Sequence, residues 1–219
     1  MDATTSQSTR ILLIDDQPVC RYGLERILCA TNEFVIEEQA KDISEAIARC
    51  KEPDIIALDL AIAKSRGIAS IKDLKRRFLD ASILVLTAHD EQLFAERSLK
   101  SGAVGYVMKS AEPSVLLLAF REVANGQLHI SSRIRSRILN RVTGPDSEDA
   151  HLRFDRLSDR ELLIVQHISL SKNNREIADE LKISTKTIES HRSRIKSKLE
   201  LSSPSELVRF ATRLQSSLF

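Results

Sequence analysis

Five side chains in the first half of the chain could do chemistry together: the carboxylates of Asp15, Asp16 and Asp59, the Thr87 hydroxyl and the Lys109 ammonium. Each follows a short, unbroken apolar run. Ile11-Leu12-Leu13-Ile14 precedes the acidic pair, Ile55-Ile56-Ala57-Leu58 precedes Asp59, Ile83-Leu84-Val85-Leu86 precedes Thr87, and Tyr106-Val107-Met108 precedes Lys109. Such runs suit strands covered on both faces, the usual state of a central parallel strand. In open α/β sheets ligands bind just beyond the carboxyl ends of the strands, so the five residues should gather at one edge of one sheet. Three carboxylates in one pocket repel unless a cation joins them. Mg²⁺ suits, because it takes oxygen ligands and is often held by one or two carboxylates plus a phosphate. A carboxylate can also act as a nucleophile and form an acyl phosphate. A transferring phosphoryl group needs positive charge and donors around its oxygens, which Mg²⁺, Lys109 and Thr87 would supply. Asp59, on the expected central strand, is the candidate nucleophile, and Asp15 and Asp16 are candidate metal ligands. Taken singly, each residue would pass as a strand or helix cap; as a set at strand ends, they mark a site.

Those positions demand a doubly wound α/β domain. Strands are expected at Thr9–Ile14, Phe34–Ala40, Ile55–Leu58, Ser82–Thr87 and Gly105–Met108, with Phe34–Ala40 the least regularly patterned. Between them the period is helical. Pro18 suits a first helical turn, Asp42-Ile43-Ser44-Glu45 has cap spacing, and Gly126 occupies a stop position after Glu112–Asn125. Leu24, Ile27 and Leu28 share one helix face; Val115, Leu116, Leu118 and Ala119 are the apolar residues of another. Five strands alternating with five helices predict parallel connections throughout.

After residue 126 the chain changes character. Ser132–Val142 is a candidate helix with Ile134, Ile138 and Leu139 and four arginines on its flanks. Gly144-Pro145-Asp146-Ser147-Glu148-Asp149 reads as a flexible linker by composition. Beyond it, Ser158-Asp159-Arg160-Glu161, Asn173-Asn174-Arg175-Glu176 and Ser203-Pro204-Ser205-Glu206 each open a helix, and Ser184 opens another over Thr185–Leu199. In that last helix Ile188, Ile195 and Leu199 should be buried. The remaining face carries Lys186, Ser190, Ser193, Arg194 and Ser197, suited to phosphates and base edges, with Glu189 near the helix start. Two helices joined by a short turn at Lys182-Ile183-Ser184 fit a helix-turn-helix. Aromatic stacking residues are absent there, which argues against single-stranded RNA. In the last helix, Leu207, Val208 and Phe210 offer apolar surface for a dimer contact.

The net charge of +2 hides an asymmetry. Residues 1–130 carry 16 Lys/Arg against 19 Asp/Glu, and residues 151–219 carry 13 against 9. That is a mild form of the split expected when one half meets a polyanion. No stretch approaches the ~20 apolar residues of a membrane span, and MDATTSQSTR lacks the apolar core of a signal peptide, so a cytoplasmic location is expected. Cys20, Cys29 and Cys50 have no paired metal-ligand spacing and read as buried thiols of a reducing compartment.

Residues 9–126 resemble a CheY-like receiver domain through Asp15-Asp16, Asp59, Thr87-Ala88, Tyr106 and Lys109. Residues 155–216 resemble the LuxR-type DNA-binding domain through Leu157-Ser158-Asp159-Arg160-Glu161, Asn174-Arg175-Glu176-Ile177-Ala178, Ile183-Ser184, Thr187-Ile188, His191, Ile195 and Lys198-Leu199. Together they are similar to the NarL/FixJ-type response regulators. The resemblance implies a receiver at 9–126, a linker with a helix at 127–154 and a helix-turn-helix domain at 155–219. It implies that a sensor histidine kinase phosphorylates Asp59, that Ala61 lends its backbone carbonyl to Mg²⁺, and that Thr87 and Tyr106 switch. It further implies a regulator rather than an enzyme, binding double-stranded DNA as a homodimer when phosphorylated or DNA-bound. Lys186, Thr187, Glu189, Ser190, Ser193, Arg194 and Ser197 are the expected DNA-contacting residues. Three departures stand out: Ile62-Ala63 where the family usually reads Met-Pro, with Lys64 and Arg66 nearby; Ser171 where it commonly has Gly; and Glu189 where some members carry Lys. Two alternatives are a stand-alone phosphohydrolase working through Asp59 and a regulator independent of phosphorylation. Turnover of small phosphate esters would favour the first, and failure to label with phosphodonors the second.

Overall fold

In a computed structural model, which describes residues 8–50, 52–62, 67–143, 154 and 156–216, the chain forms two units that divide after Asn140. Strands Thr9–Ile14 (β1), Phe34–Ala40 (β2), Ile55–Leu58 (β3), Ser82–Thr87 (β4) and Gly105–Met108 (β5) hydrogen-bond in the order β2-β1-β3-β4-β5. All pairings are parallel. β3 is the middle strand and is buried along its whole length. Helices Pro18–Leu28 (α1), Ile43–Arg49 (α2), Ala69–Arg77 (α3), Glu91–Lys100 (α4) and Pro113–Ala124 (α5) make the crossovers. Ile11, Leu13, Ala57, Leu84 and Leu86 pack with Leu24, Leu28, Leu116 and Phe120 of α1 and α5. The alternate residues Leu12, Ile14, Ile56, Leu58, Ile83 and Val85 are equally buried. A sheet covered on both faces cannot show polar alternation, which is why its strands read as solid apolar runs.

The five expected strands stand where their patterns place them. The irregular pattern of β2 has a cause: Ile11 pairs with Ile36 and Leu12 with Glu38, so Glu37 is skipped as a bulge on this edge strand. A bulge breaks the two-residue period. In α5 the inward residues are Leu116, Ala119, Phe120 and Val123, while Val115 and Leu118 are exposed. Gly105 sits in close packing: a Cβ there would lie 2.7 Å from Leu84 Cδ1 and 3.1 Å from Val123 Cγ2, so both side chains would have to shift. Among the cysteines only Cys50 is buried; Cys29 is exposed and Cys20 half-buried, a correction to the reading as buried thiols.

Ser132–Thr143 (α6) is helical as its pattern suggests, and as far as Asn140 it belongs to the first unit. The Gly144–Asp149 linker, Ala63, Lys64 and Arg66 lie outside the described residues.

The second unit contains Asp159–Ser169 (α7), Asn174–Leu181 (α8), Thr185–Leu199 (α9) and Pro204–Ser216 (α10). Ser158/Glu161 and Asn173/Glu176 form reciprocal capping boxes, and Ser184 caps α9 through the Thr187 N–H. Leu162, Val165, Ile177, Ile188, Ile195 and Leu207 form its interior. Leu207 is fully buried, so of the three residues expected to offer dimer surface it cannot; it packs into the interior of the second unit. Phe210 is half-buried and stacks on Phe154, with ring centroids 5.1 Å apart, and Val208 alone is exposed. Among the described residues no helix is long and apolar enough to cross a membrane.

Candidate functional site

The strand ends bring the predicted residues together. Backbone pairing continues one step past each strand: the Asp59 N–H donates to the Ile14 carbonyl at 2.9 Å, Asp15 N–H to Ala40 at 3.0 Å, and Lys109 N–H to Thr87 at 2.9 Å. The ladder itself therefore fixes each Cα, and the side chains only have to reach inward. Ligand oxygens of Asp15, Asp16 and Asp59 lie within 4.8 Å of one another, with Asp16 the most open. Lys109 Nζ bridges the other two, 2.7 Å from Asp15 Oδ2 and 2.7 Å from Asp59 Oδ2. The second oxygens are held by turns: Asp15 Oδ1 accepts from Gln17 N–H at 2.8 Å and Asp59 Oδ1 from Ala61 N–H at 2.9 Å.

Burial alone would push the Lys109 ammonium down, but its bonds to Asp15 and Asp59 outweigh that and hold its pKa above the ordinary lysine value. Lys109 is thus a fixed cation. Two buried carboxylates, a third at the rim and one ammonium leave an excess of negative charge. The donor set is all oxygen, close-set and under-neutralised, which fits a hard divalent cation.

Thr87 is fully buried, and its hydroxyl accepts a long 3.4 Å bond from the His89 N–H. Tyr106 is buried too, and its hydroxyl donates to the His89 carbonyl at 2.8 Å. Burial, with Asp90, Glu91 and Asp59 adding to it, raises the phenol well above its usual range, so it stays a neutral donor. The two expected switch residues therefore meet on one loop residue, His89, a link that no spacing in the sequence discloses.

In the second unit the expected burial of Ile188, Ile195 and Leu199 holds. Lys186, Thr187, Glu189, Ser190, Ser193, Arg194 and Ser197 are all exposed. Thr187 is partly committed locally, its hydroxyl 2.8 Å from the Ser184 cap. An open groove runs beside the exposed face, flanked by Arg175 at the start of α8 and by Glu189, Ser193 and Lys196 of α9. Arg192, half-buried, donates to Asn174 Oδ1 at 3.1 Å and ties α9 to α8. Sequence reasoning missed one buried charge. Glu161 accepts from the Ser158 N–H and from Lys198 Nζ, both at 2.7 Å, and so braces α9 against the α7 cap. Burial would raise the Glu161 carboxyl, yet Lys198 and the Ser158 donors more than reverse this and leave it below the usual glutamate value.

Comparison with known proteins agrees with both halves. Residues 11–121 match the response regulator receiver domain, and residues 155–211 match the bacterial regulatory proteins of the luxR family. A putative transcriptional regulator of Pseudomonas aeruginosa is 35% identical over 207 residues, covering 94% of this chain and 98% of its own. The oxygen regulatory protein NreC of Staphylococcus carnosus is 32% identical over 210 residues, covering 93% and 97%. Among solved structures, RcsB of Salmonella enterica serovar Typhimurium, bound to promoter P1flhDC with phosphomimetic BeF₃⁻, superposes with a TM-score of 0.62. It is 22% identical over 94% of this chain and 100% of that one, a likeness of fold.

Proposed function

This chain belongs to the response regulators that join a receiver domain to a LuxR-family DNA-binding domain, and we propose that a phosphoryl group on Asp59 is its control signal. One observation carries the reading: Lys109 Nζ lies 2.7 Å from both Asp15 and Asp59, on a cluster that still lacks positive charge. An Asp59 oxygen attacks phosphorus, the bond from phosphorus to the imidazole nitrogen of a partner kinase's phosphohistidine breaks, and the imidazole leaves. Asp15, Asp16, Asp59 and the Ala61 carbonyl would hold Mg²⁺, which would supply the positive charge that lets a phosphoryl dianion approach three carboxylates. Lys109 moves its bond from Asp59 to a phosphoryl oxygen, and the Thr87 hydroxyl donates to another. The exposed face of α9 binds double-stranded DNA in the major groove, as a homodimer, with Glu189, Ser190 and Ser193 toward the bases. Lys186, Arg194, Ser197 and Thr187 serve mainly the phosphates and the cap.

A small phosphodonor with Mg²⁺ should give one phosphate adduct by intact mass, which EDTA prevents and Asp59→Asn lacks. An unchanged adduct in Asp59→Asn would remove Asp59 from the role.

A further inference from the structure

Helix α6 is seated on α4 rather than standing off as a spacer. The chain leading to it extends the sheet: Tyr106 N–H donates to the His129 carbonyl at 2.9 Å, and His129 N–H to Val104 at 3.2 Å. Ile134 is then fully buried. Polar partners run along α4 in step. Ser131 Oγ donates to Glu91 Oε1 at 2.8 Å, and Arg137 Nε to Glu96 Oε1 at 2.8 Å with both side chains mostly buried. With the Gln92 amide turned so that its oxygen faces Arg133, that oxygen accepts from the guanidinium at 2.7 to 2.9 Å.

The seat is needed for the helix to exist. Isolated helices of about twelve residues are marginal in water. The first turn of α6 contains no acidic residue and does contain Arg133, the wrong sign for a helix N-terminus. The acids of α4 supply what α6 lacks. The fit is also incomplete: Arg137 Nη1 is buried without an acceptor among the described residues. A buried donor left without an acceptor offsets part of what the contact gains.

We propose that α6 is a latch on α4 which phosphorylation opens, so that the tether of the DNA-binding unit then starts after Ile130 instead of after Asn140. This rests on the Asp59 reading above. Thr87, on turning its hydroxyl to a phosphoryl oxygen, gives up the His89 N–H. His89 also holds the Tyr106 hydroxyl, and Asp90, Glu91 and Gln92 follow it directly. A shift of that loop moves the partners of Ser131 and Arg133, and Tyr106 carries the same shift to His129 through its backbone. Receiver chemistry and linker order are thereby coupled through one loop and one tyrosine.

Hydrogen exchange of residues 132–140 in the full chain tests it, with intact mass recorded on the same samples. Without phosphodonor these amides should be protected. With Mg²⁺ and a small phosphodonor they should exchange at least about tenfold faster while β1, β3 and β4 stay slow. Arg137→Glu should exchange fast without any donor, its slow strands showing that the receiver is folded, and adding Glu96→Arg should restore protection. An adduct with unchanged exchange, or slow exchange in Arg137→Glu, would overturn the latch alone. Absence of any adduct would overturn the Asp59 reading and the latch with it.

Discussion

The two working surfaces of this chain are built on opposite principles. At the receiver edge, charges are buried, held at 2.7 Å by Lys109 and fixed by backbone turns before any phosphoryl group arrives. On α9 the residues proposed to face DNA are exposed, and the helix beneath them is pinned by Ile188, Ile195 and the Glu161–Lys198 pair. Catalysis of phosphoryl transfer requires preorganised charge, because reorganising it during the reaction would cost rate. Reading DNA requires a placed helix whose long side chains settle on the partner. A single substitution should therefore damage the first surface by removing a charge and the second by loosening its support.

The largest effect should come from Lys109→Met. Asp15 and Asp59 lose their shared cation, and adduct formation timed by intact mass should slow by about 10²-fold or more. A rate within a few-fold of the natural chain would mean that the site is assembled by the metal and not by the protein. Next, Glu161→Ala should lower the unfolding free energy of the second unit by ~2–3 kcal/mol in denaturant titrations, since Lys198 and the capped N–H lose their acceptor. The pH dependence follows from the depressed Glu161 carboxyl. Its contribution is fully present above the ordinary glutamate value of 4.5 and fades as pH falls through the lower folded value. Glu161→Gln should flatten that acid limb, and an unaltered limb would show that Lys198 does not favour the charged form.

Within the DNA surface, Glu189→Ala should change the preferred sequence in a selection on random duplexes, with ~1–3 kcal/mol of discrimination lost at one base pair per half-site. Arg194→Ala should weaken all sequences alike and reduce the salt slope by about one. Were the two outcomes exchanged, the helix would be turned the other way in the groove. Smallest of all, Ser171→Gly should raise the melting temperature of the second unit, through ~0.5–1 kcal/mol. Ser171 sits at φ 61°, where only glycine is free of strain. No gain would mean that the Ser171 conformation is held by contacts of its own.

The receiver site was legible because a buried parallel strand announces itself as an apolar run and ends where its first polar residue surfaces. Asp59, Thr87 and Lys109 are each such a residue. The recognition face was legible as a face, since Ile188, Ile195 and Leu199 fix its back. What stayed hidden depends on pairs distant in sequence. Glu161 meets Lys198, and Arg137 meets Glu96, by packing geometry that no local pattern encodes. Of the arginines around α6, Arg137 finds its acid on α4, at Glu96, far from it in sequence. The bulge at Glu37 and the inward turn of Leu207 escaped for a related reason: each is a one-residue offset, and periodicity alone does not set phase.

The ammonium that completes the acidic site belongs to β5, the last strand of the sheet, whereas the acidic pair follows β1 and Asp59 follows β3. Synthesis proceeds from the amino terminus at about 5–20 residues per second, so the carboxylates leave the ribosome seconds before their counter-charge. During that interval Lys109 is not there to bridge Asp15 and Asp59, and the edge of β4 has no neighbour. Parallel pairing over such sequence separations is slow to form. A chain that has not yet added β5 therefore lacks the ammonium that bridges Asp15 and Asp59, and the acidic edge takes its final form only when the sheet is complete.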